Sequence, residues 1–207
     1  DFGIGDQAIF EARNNTRYTI PVGAHQANGN IAGYSERGSN LFISGPSNGI
    51  VTTDLTGAAG YDGSDYTDGF SGTSAAAPMV AGVIALMMDA NPDLEMHEIK
   101  EILSRTARQA NPGDPLWVTN AAGLTHHPRY GFGLVDAEAA VNMAMNWKAT
   151  GLAYNEEARV AARRVDLLIP FVIPDALPFP STATITVPRN VRISAAELVL
   201  NGETESF

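Results

Sequence analysis

Residues 70–88 read FSGTSAAAPMVAGVIALMM, nineteen positions without a charged side chain. The strictly apolar part, Ala75 to Met88, is fourteen residues long, whereas a bilayer span needs about 20. The stretch therefore predicts a buried core helix over about 74–89 and no membrane span. A helix of this composition belongs inside a sizeable core. Its lip is the anomaly: Ser71, Gly72, Thr73 and Ser74 form a cluster of hydroxyls and glycine that no core needs.

The chain has the means to build that core. Its 207 residues, 44% of them hydrophobic, suffice for one large domain or a domain and a half. Thirteen basic residues against 23 acidic ones give a formal charge of −10. That field repels phosphate backbones and anionic membranes, so nucleic acid is excluded as a partner, while cations and basic peptides suit it. There is no cysteine, hence no disulfide framework, thiolate nucleophile or thiolate metal site. The chain opens at Asp1 without an initiator Met or signal peptide and stops after a strand-like run, so it reads as a piece of something longer.

Local patterns predict an α/β arrangement. Residues 17–22 (RYTIPV) and 40–44 (NLFIS) are short apolar runs bounded by turn formers, as strands in a covered sheet are. Residues 55–69 read as a Gly/Asp loop. After the core helix, an amphipathic one is expected at about 95–108, with Ile99, Ile102, Leu103 and Thr106 on one face and Lys100, Glu101 and Arg105 on the other. Asp136 stands where an N-cap belongs, opening a last helix over about 137–147. Strands followed by helices imply an α/β domain. Composition shifts after Trp147: a polar stretch over 149–165, with a basic cluster at Arg159, Arg163 and Arg164, precedes a β-branched, proline-broken module over 166–207.

Ser74 is chemically placed. A serine hydroxyl attacks a carbonyl only when a base takes its proton and backbone donors hold the resulting oxyanion. The first turn of a helix offers such donors, because its N–H groups lack intrahelical partners and the dipole favours negative charge. Gly72 permits close approach, Ala75 to Ala77 keep the first turn thin, and Pro78 falls near its end. The residues alone leave a second reading open, in which Thr73 or Ser74 merely caps the helix.

Six blocks bear on that choice: YSE at 34–36, IVTTDLTG at 50–57, GTSAAAP at 72–78, VIALMMDANPDL at 83–94, YGFGLVDAEAAVNMAMNW at 130–147, and the β-rich run after them. In order and spacing they resemble the subtilisin-like serine proteases, and within them the kexin/furin branch, the proprotein convertases. The likeness covers residues 1–148, which it implies are the C-terminal portion of a three-layer α/β/α catalytic domain with a parallel sheet. IPD at 173–175 with STATITV resembles the start of the P domain, a β jelly roll, here truncated. Ser74 matches the nucleophile of the family, and Gly72 and Thr73 beside it are expected to contact the substrate. The resemblance places the catalytic Asp and His upstream, and the Asn of the oxyanion hole just before Asp1, so this stretch alone is expected to be inactive.

The resemblance also implies a calcium ion behind the pocket for the residue preceding the cut, with Asp6 and Glu36 among its ligands. Two loop carboxylates thirty positions apart are chemically suitable for such a cation. Glu11 matches the acid lining that pocket and Asn15 an asparagine beside it, which implies polypeptide substrates with basic residues at the cleavage site. Arg13 stands where the family has an aromatic and brings an opposing charge. The histidines nearest the motifs, His25, His126 and His127, are not expected to be the base. A secreted or periplasmic endopeptidase is implied; a broad-specificity subtilase, or a non-catalytic relative that binds through its P domain, are the alternatives.

Overall fold

The computed structural model describes residues 8–16 and 18–150, all within one compact unit from Asp1 to Ala153. Asp6, the arginine cluster and the module over 166–207 lie outside the described residues.

Two parallel strands seat the site. Strand β1, Val22–His25, pairs with β2, Ile43–Pro46, in register from Val22↔Ile43 to His25↔Pro46. Both begin later than the sequence predicts. Pro21 has no N–H to give a ladder and contributes only its carbonyl, which accepts from Phe42 N at 2.9 Å. Asn40 is spent on loops: its side-chain amide donates to the Ala8 carbonyl (3.1 Å) and to Asn15 Oδ1 (2.8 Å). Residues 133–135 run beside β2, where Ser44 N donates to Gly133 O and Val135 N to Ser44 O, both at 2.9 Å.

The Gly/Asp stretch is more ordered than expected. Strand β3, Ile50–Thr53, pairs antiparallel with β4, Tyr66–Phe70, so the last residues of the expected loop form a strand. Asp and Gly within YTDGF hide the alternation, and its partner lies more than a dozen residues upstream. In the connection, the Asp54 carboxylate accepts from Leu55 N (2.8 Å) and Asp62 N (2.9 Å), and Asp65 accepts from Gly57 N (3.1 Å). Backbone donation from Asp62 holds the Asp54 carboxyl below its ordinary pKa. These aspartates close turns.

Helix α1 spans Thr73–Ala90 and packs on β1 and β2. Ala75, Ala76, Val80, Val83 and Met87 are buried. Its opposite side is not: Met79, Leu86 and Met88 are 42%, 55% and 46% exposed, so the expected core helix is buried on one side only among the described residues. In length and hydropathy α1 also meets the requirement for a membrane span, yet its buried side is committed to the parallel strands and to the helix described next. Helix α3, Ala137–Met145, opens as predicted, with Asp136 Oδ1 accepting from Ala139 N at 3.0 Å, and gives way to a 3-10 turn over Trp147–Thr150. Between them α2, Met96–Thr106, buries Ile99, Ile102 and Leu103 as its periodicity requires. Glu98 closes its capping box by accepting from Glu95 N (3.0 Å) and also accepts from the buried Trp147 indole N–H (2.6 Å). A short pair, β5 at Val118–Thr119 and β6 at Thr125–His126, completes the elements.

One hydrophobic core joins Ile43 of β2 to side chains of all three helices. Among the described residues it is a mixed α/β structure with parallel strands. Helix and sheet meet closely at Gly45, where a Cβ would lie 2.7 Å from the Ala76 carbonyl oxygen and 3.1 Å from Val80 Cγ2. Gly45→Ala must push α1 off β2, and overpacking of this kind costs about 1–3 kcal/mol. The expected result is a lower urea midpoint at unchanged m-value.

Candidate active site

Neither hydroxyl at the head of α1 caps it. The N-cap is Gly72, at φ 94° and ψ 175°, and it makes no side-chain cap. A Cβ at Gly72 would meet only Ser74 N, at 3.8 Å, so glycine is required by the backbone conformation and not by crowding. Its carbonyl accepts from Ala75 N (2.9 Å) and Ala76 N (3.3 Å). Among the described residues, the N–H groups of Thr73 and Ser74 have no partner. They sit at the positive end of an 18-residue helix. Ser74 is exposed and is the second helical residue. Pro78 falls past the first turn, and the donor it lacks is the one that would have met the Ser74 carbonyl. The capping reading thus falls, and a serine with open donors at its own N–H remains.

Ser47 fixes the approach to this helix. Fully buried, it donates from Oγ to the His25 carbonyl (2.9 Å), and its own carbonyl accepts from Gly72 N (2.9 Å). The Tyr34 hydroxyl lies 2.9 Å from Ser47 Oγ and donates to Asn48 Oδ1 at 2.8 Å. The next residue, Ser35, accepts from Ala24 N at 2.9 Å. Tyr34 and Ser35 therefore stitch their segment to the sheet, which leaves Glu36 exposed at its end. Sequence reasoning singled out Glu36 but missed Ser47, whose only signal is a serine closing the apolar run FISGPS.

Glu36, Glu11 and Thr73 converge on one cleft of about 410 Å³, with Ala8, Asn14, Pro21, Val22 and Leu41 as its other walls. Three of the expected site residues are thereby brought together, one position from Ser74. Asn15 is not among the lining residues. Its side-chain amide donates to the Ile9 carbonyl at 2.6 Å and its oxygen accepts from Asn40, so it locks the 3-10 turn Ala12–Asn15 that presents Glu11. Arg13 Nε lies 3.7 Å from Glu11 Oε1. For a cation, Glu36 offers a hard oxygen donor, while Asp6 lies outside the described residues. Among the described residues no group of three or more His, Asp or Glu gathers closely enough to hold a metal ion.

The three histidines set aside from sequence are engaged elsewhere. His25 is buried with Nδ1 2.9 Å from the Gln26 carbonyl, and burial lowers its pKa against that hydrogen bond. His126 Nε2 meets the Leu41 carbonyl at 2.8 Å. The fully buried His127 accepts from Arg129 N through Nδ1 (3.0 Å) and turns Nε2 toward Asp114 at 3.4 Å; burial pushes its pKa down, with Asp114 opposing. Among the described residues, none of these hydrogen bonds of the three histidines is to Ser74.

Comparison with known proteins shows the family of the chain. Residues 2–133 match the Peptidase S8 model, the subtilase family. The proprotein convertase subtilisin/kexin type 6 of Rattus norvegicus is 39% identical over 151 residues, which are 70% of this chain and 15% of that protein. A furin-like protease 1 of Drosophila melanogaster is 32% identical over 171 residues, 80% of this chain and 15% of the relative. The chain thus spans about 15% of the length of these curated relatives. Among solved structures, the serine protease of Aeromonas sobria superposes with a TM-score of 0.57 at 32% identity, covering 60% of this chain and 29% of that one. Fervidolysin from Fervidobacterium pennivorans does so with 0.50 at 26%, covering 63% and 20%. The matched span takes in β1, β2, the residues lining the cleft and Ser74, and by it this chain belongs to the subtilase family.

Proposed function

We propose that this chain carries the nucleophile and the primary specificity cleft of a serine endopeptidase that cuts polypeptides after a basic residue. One observation supports this above the rest: an exposed, uncapped serine with open backbone donors stands one residue from a cleft lined by two carboxylates. In the reaction, Ser74 Oγ forms a bond to the scissile carbonyl carbon as its proton passes to a histidine supplied from outside the described residues. An aspartate orients that histidine. The carbonyl oxygen becomes an oxyanion facing the Ser74 N–H at the helix N-terminus. Collapse expels the amine, which takes the proton from the histidine, and leaves an acyl-serine; water, deprotonated by the same histidine, then releases the acid. The cleft holds the side chain preceding the cut, and its carboxylates favour Lys or Arg there.

By the same resemblance we read a calcium ion near this cleft, with Asp6 and Glu36 contributing ligands to it. Glu36 standing on the cleft wall supports that reading. The β-rich start of a P domain over 166–207 and a secreted or periplasmic location belong to the same proposal; both are carried by the resemblance.

Three outcomes test it in the full-length protein. Ser74→Ala is expected to lower kcat by about 10⁶-fold and to abolish labelling by a fluorophosphonate probe, without shifting the thermal midpoint. Glu11→Gln is expected to lower kcat/KM for arginyl peptides about 10- to 100-fold relative to peptides with neutral citrulline there, the equivalent of losing one charge-assisted contact. Added Ca²⁺ is expected to raise the thermal midpoint of the native protein, with Glu36→Gln blunting the shift.

A further inference from the structure

Glu11 has a second partner besides any substrate. It lines the cleft, while Arg13, which does not, approaches it to 3.7 Å with 92% of its own side chain and 61% of that of Glu11 exposed. The backbone beneath Arg13 is held in place. Thr19 Oγ1 donates to the Arg13 carbonyl at 2.9 Å, and the amides of Asn14 and Asn15 reach back to the Ala8 and Ile9 carbonyls at 3.3 and 2.6 Å. A fixed backbone and a long flexible stem keep the guanidinium within reach of Glu11 without anchoring it there. Glu11 and Glu36 supply two negative charges at the cleft and Arg13 returns one positive charge beside them.

We infer that Arg13 is a specificity-determining residue: it competes with the cationic side chain of the substrate for the Glu11 carboxylate. The inference rests on the basic-specificity reading above and deepens it. A substrate arginine or lysine entering the cleft has to displace Arg13 from Glu11, so part of the new contact is offset by one that is lost. A neutral side chain meets no such competition. Arg13 therefore narrows the preference for basic over neutral residues and acts through Glu11, not on the reacting atoms.

The test compares kcat/KM of the full-length protein for matched peptides with arginine or citrulline before the cut. R13A is expected to raise the arginine-to-citrulline ratio about two- to five-fold, the range of an exposed ion pair, and to do so through KM. R13K, which keeps the charge, is expected to hold the native ratio. In about 0.5 M salt the difference between R13A and the native protein should shrink, because exposed charges are screened. On an E11Q background R13A is expected to change nothing. An unchanged ratio in R13A, or an equal gain on the E11Q background, overturns the inference. Should E11Q alone leave the ratio unaltered, basic specificity itself fails and the role of Arg13 falls with it. If E11Q lowers the ratio while R13A does not raise it, only the role of Arg13 is lost.

Discussion

The closeness of α1 to β2 at Gly45 governs where Ser74 stands. A side chain at that position would collide with the Ala76 carbonyl, two residues along the helix from Ser74. Helix and sheet instead meet closely, with Val80 sharing a core with Ile43 of β2 and Ala76 one with Ala24 of β1. Interiors packed at this density transmit displacement instead of absorbing it. Ser74 thus inherits its position from the core. The link from Gly72 N to Ser47 O reinforces it from the other side, since Ser47 is itself buried and tied to the end of β1.

Electrostatics at the site are divided between two elements. The N-terminus of α1 offers partial positive charge and free N–H groups to an oxyanion. The opposite sign is delivered by the turn around Glu11 and the segment ending at Glu36, which face the same cleft. In the proposed function, substrate recognition and transition-state stabilisation fall to separate pieces of chain, each pinned by its own hydrogen bonds. Asn15 and Asn40 hold the first acid in place; Tyr34 and Ser35 hold the second.

Much of this was legible in the sequence where the signal is local. The uncharged run announced α1, the spacing of Ile99, Ile102 and Leu103 set the face of α2, and Asp136 marked the start of α3 to the residue. Glu11, Glu36 and Thr73 were singled out through the likeness to the family, and the structure gathers them on one cleft. What escaped depends on distant partners. The starts of β1 and β2 are set by the missing N–H of Pro21 and by Asn40 turning toward Ala8 and Asn15. Strand β4 exists because Thr67 and Tyr66 find Thr52 and Thr53. Ser47 matters through Gly72, 25 residues away, and nothing in its neighbourhood says so. Asn15 took a structural task that a position-by-position likeness cannot separate from contact with substrate.

In the proposed mechanism, mounting the attacking oxygen at the head of a helix packed on the sheet has a kinetic meaning. The work of aiming that atom is completed when the chain folds, before any peptide arrives, so little protein motion is left for the chemical step itself. In that mechanism a turnover consists of moving protons and expelling products around a stationary atom. A centre of that kind would tolerate change at its outer loops, to which the proposal assigns selectivity, far more readily than at the small residues beneath it.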